Sequence, residues 1–395
     1  FHSPSIHSFS LLPALALGGA PGAVALDRRR QEQAREYARV RRRLLAVELT
    51  LSALVVVAFL VTGASRALAL RGAGVTGPWA LVAAYLAIVY VGYTLVFSPL
   101  AWYSGFVLPH RYGLSTQTRR GWLIDELKGL GLGLTLAVAA GEVVYWLLRS
   151  QPGTWWLWAG AFLLAATVLL DFVAPVLIVP LFYRLTPLED PELVARVRLL
   201  AERTGRRVAG VYTINLSSRT TAANAVFLGL GRTQRIALGD TLYADYAHDE
   251  IETIVAHELG HQVHRDLVWG LAVQAVLLLG ALYLAQLFLR WGVNFFGFEG
   301  PSDVAALPLL LLAAGLFSIV TLPLSNAYSR WRERRADRFA LEATGKPRAF
   351  ARALTRLANQ NLAEADPPRW VVVLLYSHPP VSERVRLARG EADPR

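Results

Sequence analysis

Two histidines four residues apart, with a glutamate beside the first, stand in the run His257-Glu258-Leu259-Gly260-His261. Residues four apart on a helix share a face, so both imidazoles can reach one ion, and Glu258 projects beside them. The chain has no Cys, so any metal must be held by His and carboxylate. Three protein ligands with a fourth position open for water is the arrangement of catalytic zinc. Zinc in such a site lowers the pKa of its water toward ~7, and a nearby carboxylate can take the proton and later pass it to a leaving amine. With 8 His among 395 residues, accidental matches to H-E-x-x-H are expected on the order of 0.01 per chain of this composition. The pattern also falls where Ile251, Ile254, Val255 and Leu259 recur at helical spacing, within Asp249–Arg265.

A third ligand is required. His264 shares a face with His257, but the seven-residue separation is ~10.5 Å of helix, too far for one ion to be reached together with His261. It reads instead as a surface residue or a support for a ligand. Glu333 and Asp337 are better placed, four apart in Arg330–Leu341, a second helical pattern. One of them can ligate while the other supports an imidazole through its second nitrogen. Spacing alone reads the same residues as a solvated Glu/Arg face.

The elements that must position these residues are mostly apolar. The chain is 54% hydrophobic and 17% charged, against about 45–50% and about 25% for a soluble domain. The excess is gathered into six stretches, roughly 44–63, 78–99, 129–148, 155–180, 267–289 and 305–325, each near the ~20 residues that cross a bilayer as a helix. A shorter apolar stretch, 11–26, is broken by Pro13 and Pro21 and would be a signal sequence or a seventh span in a minority reading. The expected architecture is therefore mainly α: a polytopic membrane protein of six or seven spans carrying a polar domain. Its segments are a basic tail over 1–43, disordered or a weak extra span, and a membrane region over 44–182. The first half of the polar domain follows over 183–265, then a helical pair over 266–325 and the second half over 326–395.

The formal net charge of +11 comes almost wholly from Arg, with Lys128 and Lys346 the only lysines. The arginines flank apolar spans, which favours membrane topology over nucleic acid as their explanation. If the run Arg28–Arg43 is cytoplasmic, six crossings place 100–128, 183–265 and 326–395 on the same side. The opposite loops then hold only Arg66, Arg71, Arg149 and Arg290. Both halves of the polar domain meet on the cytoplasmic face.

At these residues the chain resembles a known family. The HELGH helix, the later Glu333-Arg334-Arg335-Ala336-Asp337, and Ser377-His378-Pro379-Pro380 followed by Glu383-Arg384 resemble the type I CaaX prenyl endopeptidases, integral-membrane gluzincins also called CAAX prenyl protease 1. The likeness runs from about residue 100 to 390 and includes Phe106–Lys128, Pro180–Leu188 and Ala223–Leu242. It implies one Zn²⁺ per chain on His257, His261 and Glu333, Glu258 as the base, and Asp337 supporting a ligand. It implies that His378 stabilises the tetrahedral oxyanion with Arg384 bracing the site. It gives Asn224 and Ala225, on an edge strand before a turn at Gly229 and Gly231, the role of receiving a peptide through main-chain hydrogen bonds. It also implies a large intramembrane chamber, toward which Glu48, Glu142 and Asp171 could point.

The partners so implied are a peptide or protein substrate with a prenylated C-terminus, and the lipid bilayer, in the cell membrane of a prokaryote or the endoplasmic reticulum of a eukaryote. An HtpX-like protease of misfolded membrane proteins is the alternative enzyme, though the longer chain and additional spans favour the prenyl-protease branch. An inactive membrane scaffold or a zinc transporter is the alternative of another class. A pseudoenzyme would be expected to lose Glu258, and a transporter to place its His and carboxylates inside the spans.

Overall fold

The computed structural model describes residues 25–73, 77–229 and 234–391. The short apolar stretch at 11–26 lies almost wholly outside them. Six described helices are long and apolar enough to cross a membrane. They are α1 (Arg28–Val61), α3 (Pro78–Arg111), α4 (Arg119–Ser150), α5 (Trp155–Phe182), α9 (Asp266–Phe296) and α10 (Leu307–Thr344), with a short α2 (Ala64–Ala73) between the first two. The protein is thus a multi-pass membrane protein, mostly helical, as its apolar runs require.

The spanning helices pack in a ring: α3 on α4, α4 on α5, α5 on α9, α9 on α10 and α10 on α1. A hydrogen bond of 2.6 Å between Ser52 Oγ and Tyr93 Oη joins α1 to α3 and closes it. Lipid offers no hydrophobic force between helices, so close approach at small residues must supply the attraction. At Gly141 a Cβ would stand 2.2 Å from Leu86 Cδ1, and at Gly292 2.3 Å from Leu309 Cδ1. Prolines mark departures from regular winding. Tyr103–Val107 in α3 follows Pro99 as a π turn, and Ala174–Ile178 in α5 contains Pro175 and is another.

The basic run that begins α1 is helical. Asp27 caps it, accepting from Arg30 N at 2.8 Å. Arg30 then donates to the Asn359 and Gln360 carbonyls, Gln31 to the Ala363 carbonyl, and Arg42 pairs with Glu364. The arginines therefore fasten the first span to the far end of the chain.

The polar domain begins at β1 (Leu185–Pro187) and α6 (Pro191–Arg203), followed by β2 (Gly210–Ile214), β3 (Ala225–Leu228), β4 (Arg235–Gly239) and a short α7 (Asp240–Asp245). The strands form one sheet in the order β1-β2-β4-β3, antiparallel except for the parallel pair β2–β4. β3 is an edge, as its sequence predicts, and Gly229 beyond it has a φ of +83°, a conformation Gly adopts without strain. Gly231 lies outside the described residues.

Against the sheet edge β3 packs α8 (His248–Val263), with α11 (Pro347–Gln360) on α8, α13 (Val381–Arg389) on α11 and α12 (Arg369–Leu375) on α10. The buried core joins Leu193, Val197, Ile236, Leu238, Ile251, Val255, Leu259, Phe350, Leu354 and Val381. The helical periodicity of α8 thus buries one face in this core and turns the other toward α10.

Candidate active site

The site forms where α8 crosses α10. Gly260 permits the crossing: a Cβ there would lie 3.1 Å from Ala336 Cα and 3.1 Å from Phe339 Cδ1. Any larger residue would push α10 away and with it Glu333. At this separation His257 Nε2 is 3.3 Å from His261 Nε2 and 3.2 Å from Glu333 Oε2, and His261 Nε2 is 3.5 Å from Glu333 Oε1.

Each imidazole is held from behind by a carboxylate. Asp337 Oδ1 lies 2.8 Å from His257 Nδ1, and Asp266 Oδ2 lies 2.8 Å from His261 Nδ1. The hydrogen-bond pattern assigns the ring hydrogen to Nδ1 in both, leaving both Nε2 lone pairs aimed at one point beside a carboxylate. Glu333 Oε2 is buried and accepts no hydrogen bond. Two imidazole nitrogens and a carboxylate converging on one point repel one another unless a proton or a metal cation lies between them. The donor atoms are all within 4.8 Å of one another, so this cluster could hold a metal ion.

Arg384, itself 3% exposed, donates from Nε and Nη2 to the two oxygens of Asp337 at 2.7 and 2.5 Å, and its Nη2 is 3.3 Å from His257 Nδ1. Burial disfavours charge on His257, but Asp337 and Glu333 outweigh it and raise its pKa to about 10. A bound cation would take over as the partner of these carboxylates. Burial raises the carboxyl of Glu258 above its usual range, with the opposing pull of His257 and His261 smaller.

His378 enters from the loop between α12 and α13. Its Nε2 is 3.4 Å from Glu333 Oε1, and Nδ1 is 2.9 Å from Ser377 Oγ. Burial lowers its pKa to about 4, so the ring is neutral at pH 7. With the Ser377 hydroxyl donating to Nδ1, Nε2 carries the hydrogen and presents it to the centre. The chain just before this loop is pinned to α10, since Arg330 Nη1 donates to the carbonyls of Val372 and Tyr376 at 2.8 and 2.6 Å.

Ala225 begins the edge strand β3, which packs on α8, and Asn224 immediately precedes it. The Asn224 carbonyl accepts from Gly239 N at 2.8 Å, and its side chain accepts from Ala225 N at 2.9 Å. The outer edge of β3 faces away from β4 and pairs with no strand among the described residues. His264 stands apart from the donor cluster, its Nδ1 2.7 Å from the Gly260 carbonyl and its ring edge-on to Phe339.

The structure therefore brings His257, Glu258, His261, Glu333, Asp337, His378 and Arg384 together and places Asn224 and Ala225 at the start of the neighbouring strand. Sequence reasoning missed Asp266. On an unbroken helix it would stand about 140° around the axis from His261. It returns only because Arg265 takes a left-handed conformation, φ 56°, which breaks α8 from α9. A polar residue at the foot of an apolar span was the sole signal.

Donors so arranged where α8 crosses the spanning helix α10 fit a membrane-embedded metallopeptidase. Residues 187–392 match the model of Peptidase family M48, and residues 21–184 match the CAAX prenyl protease N-terminal domain of five membrane helices. The chain belongs to this family and is a metalloendopeptidase resembling CaaX prenyl protease 1. It is 34% identical over 302 residues to the uncharacterized metalloprotease YhfN of Bacillus subtilis, covering 75% of this chain and 71% of that one. It is 31% identical over 316 residues to CAAX prenyl protease 1 of Saccharomyces cerevisiae, covering 74% of this chain and 68% of that one. The crystal structure of S. mikatae Ste24p superposes with a TM-score of 0.83 at 25% identity, covering 92% of this chain and 90% of that one.

Proposed function

We propose that this protein is a zinc endopeptidase that cleaves near the prenylated C-terminus of a peptide or protein substrate, with its site on the cytoplasmic side. The observation that carries the reading is the His257, His261 and Glu333 cluster where α8 crosses the spanning helix α10. The likeness to CAAX prenyl protease 1 across both halves of the chain supports the prenyl-protease branch. Two imidazoles and a carboxylate are a donor set of catalytic zinc sites, which keep a fourth position open. Zinc in this site supplies Lewis acidity, polarising the substrate carbonyl and acidifying water.

The chain's own residues divide the remaining work. Glu258 accepts a proton from the attacking water and delivers it to the leaving nitrogen. Neutral His378 donates from Nε2 to the oxygen that gains charge. Asp337 holds the His257 ring, and Arg384 fixes Asp337. The open edge at Asn224 and Ala225 aligns the peptide as an added strand.

The test is hydrolysis of a quenched peptide ending in a farnesylated cysteine motif by the purified protein in detergent, beside the same peptide without the prenyl group. Preferential cleavage of the prenylated peptide supports the proposal. Equal cleavage of both would move the function to general turnover of membrane proteins. Zinc uptake without cleavage of either would defeat the substrate class.

Sidedness follows from the Arg distribution and can be measured because the chain has no Cys. A single cysteine replacing Arg290, which is exposed at the end of α9, should react with a membrane-impermeant maleimide in intact cells. One replacing exposed Arg41 should react only after permeabilisation. The reverse pattern would invert the topology.

A further inference from the structure

We infer that Asp266 is a positioning residue for the metal centre: it orients His261 and raises the affinity of the site for its ion. The inference rests on reading the His257, His261 and Glu333 cluster as a metal site. Asp266 Oδ2 lies 2.8 Å from His261 Nδ1, on the opposite side of the ring from the converging Nε2 atoms. A carboxylate there holds the ring in one rotation, keeps the hydrogen on Nδ1 and makes Nε2 a stronger donor. Asp337 does the same for His257, so each imidazole has its own carboxylate, and the two come from different helices.

The surroundings show a built contact. Asp266 is 4% exposed, and its other oxygen, Oδ1, is buried without a hydrogen-bond partner. A buried carboxylate with one unused oxygen is costly to keep, so its charge needs a compensating function or partner. A cation on the far side of His261 supplies that compensation through the ring. The backbone is fixed as well: the Asp266 carbonyl accepts from Arg332 Nη1 at 3.2 Å. Arg332 directly precedes Glu333, so one contact ties the support of His261 to the helix that carries Glu333. The left-handed Arg265 aims Asp266 back at the ring. A role confined to starting α9 would need an acid in its first turn but no contact with His261.

The experiment uses the full-length protein in detergent, stripped of metal, with Asp266→Ala and Asp266→Asn. Zinc affinity is read by competition with a chelator, the Co²⁺-loaded forms by visible absorption, and the metal-free forms by melting temperature. The expected result is zinc binding weaker by ~10–100-fold in Asp266→Ala. Asp266→Asn, which keeps an acceptor but not the charge, should fall between that and wild type. The Co²⁺ bands should move in both, while the metal-free melting temperatures stay with wild type. Zinc affinity and Co²⁺ bands unchanged in Asp266→Ala would overturn the inference. So would a lowered metal-free melting temperature with unaltered Co²⁺ bands, which is what a purely structural role gives. Wild-type protein that takes up neither metal would overturn the metal reading itself, and this inference with it.

Discussion

Glu258→Gln should reduce peptide hydrolysis by ~10²–10⁴-fold, the range contributed by a positioned general base, while the protein still binds one zinc. The amide nearly matches the carboxylate in volume, so α8 and its packing against α10 stay intact. What is lost is the capacity to take a proton. Glu258 is half-buried and interacts with His257, His261, Glu333 and Arg384, and none of these is free to replace it. Both imidazoles turn Nε2 to the centre and Nδ1 to a carboxylate, and Arg384 is committed to Asp337. Turnover numbers and metal content measured on the same preparation decide the matter. A variant that keeps most of its activity with zinc bound would transfer the base role elsewhere.

Glu333→Ala is expected to have the other large effect, on metal retention. Removing a donor from a three-residue set should weaken zinc binding well beyond the ~10–100-fold that outer hydrogen-bond partners contribute. It also uncovers charge, since His257 then keeps Asp337 alone as its carboxylate partner. Stability should follow binding. A ligand present at 1,000 times its Kd stabilises the folded state by ~4 kcal/mol. Chelator should therefore lower the melting temperature of wild-type protein, whereas the Glu333→Ala melting temperature should be the same with and without it. An equal response of the two proteins to chelator would remove Glu333 from the ligand set.

The parts of this molecule that were legible in its sequence are those written locally. The spans stand out because lipid demands about twenty apolar residues in a row. The pair His257 and His261, with Glu258, follows from helix periodicity, and Glu333 and Asp337 follow from a second helical pattern once a further ligand is sought. Less of the tertiary organisation could be read. The parallel pairing of β2 with β4 depends on a connection that carries β3 to the far edge, and strand patterns do not encode that order. The arginines of α1 read as part of a basic tail flanking a span, yet Arg30 and Arg42 reach residues more than three hundred positions away. Asp266 was hidden by a single left-handed residue. The sequence reading treats the last span, 305–325, and the helical pattern bearing Glu333, Arg330–Leu341, as successive segments. The structure runs one helix, Leu307–Thr344, through Pro323, as membrane helices tolerate when neighbours satisfy the freed backbone groups.

That uninterrupted helix decides what can be separated from the bilayer. Glu333 and Asp337 sit on the same rigid rod as a lipid-spanning segment, and Asp266 is the first residue of another. A water-soluble fragment made by deleting the apolar segments would keep His257 and His261 but lose the scaffold of the remaining donor. The catalytic half is therefore not a detachable module: the hydrocarbon-embedded rods are its framework, and any minimal active version of this peptidase must itself be a membrane protein.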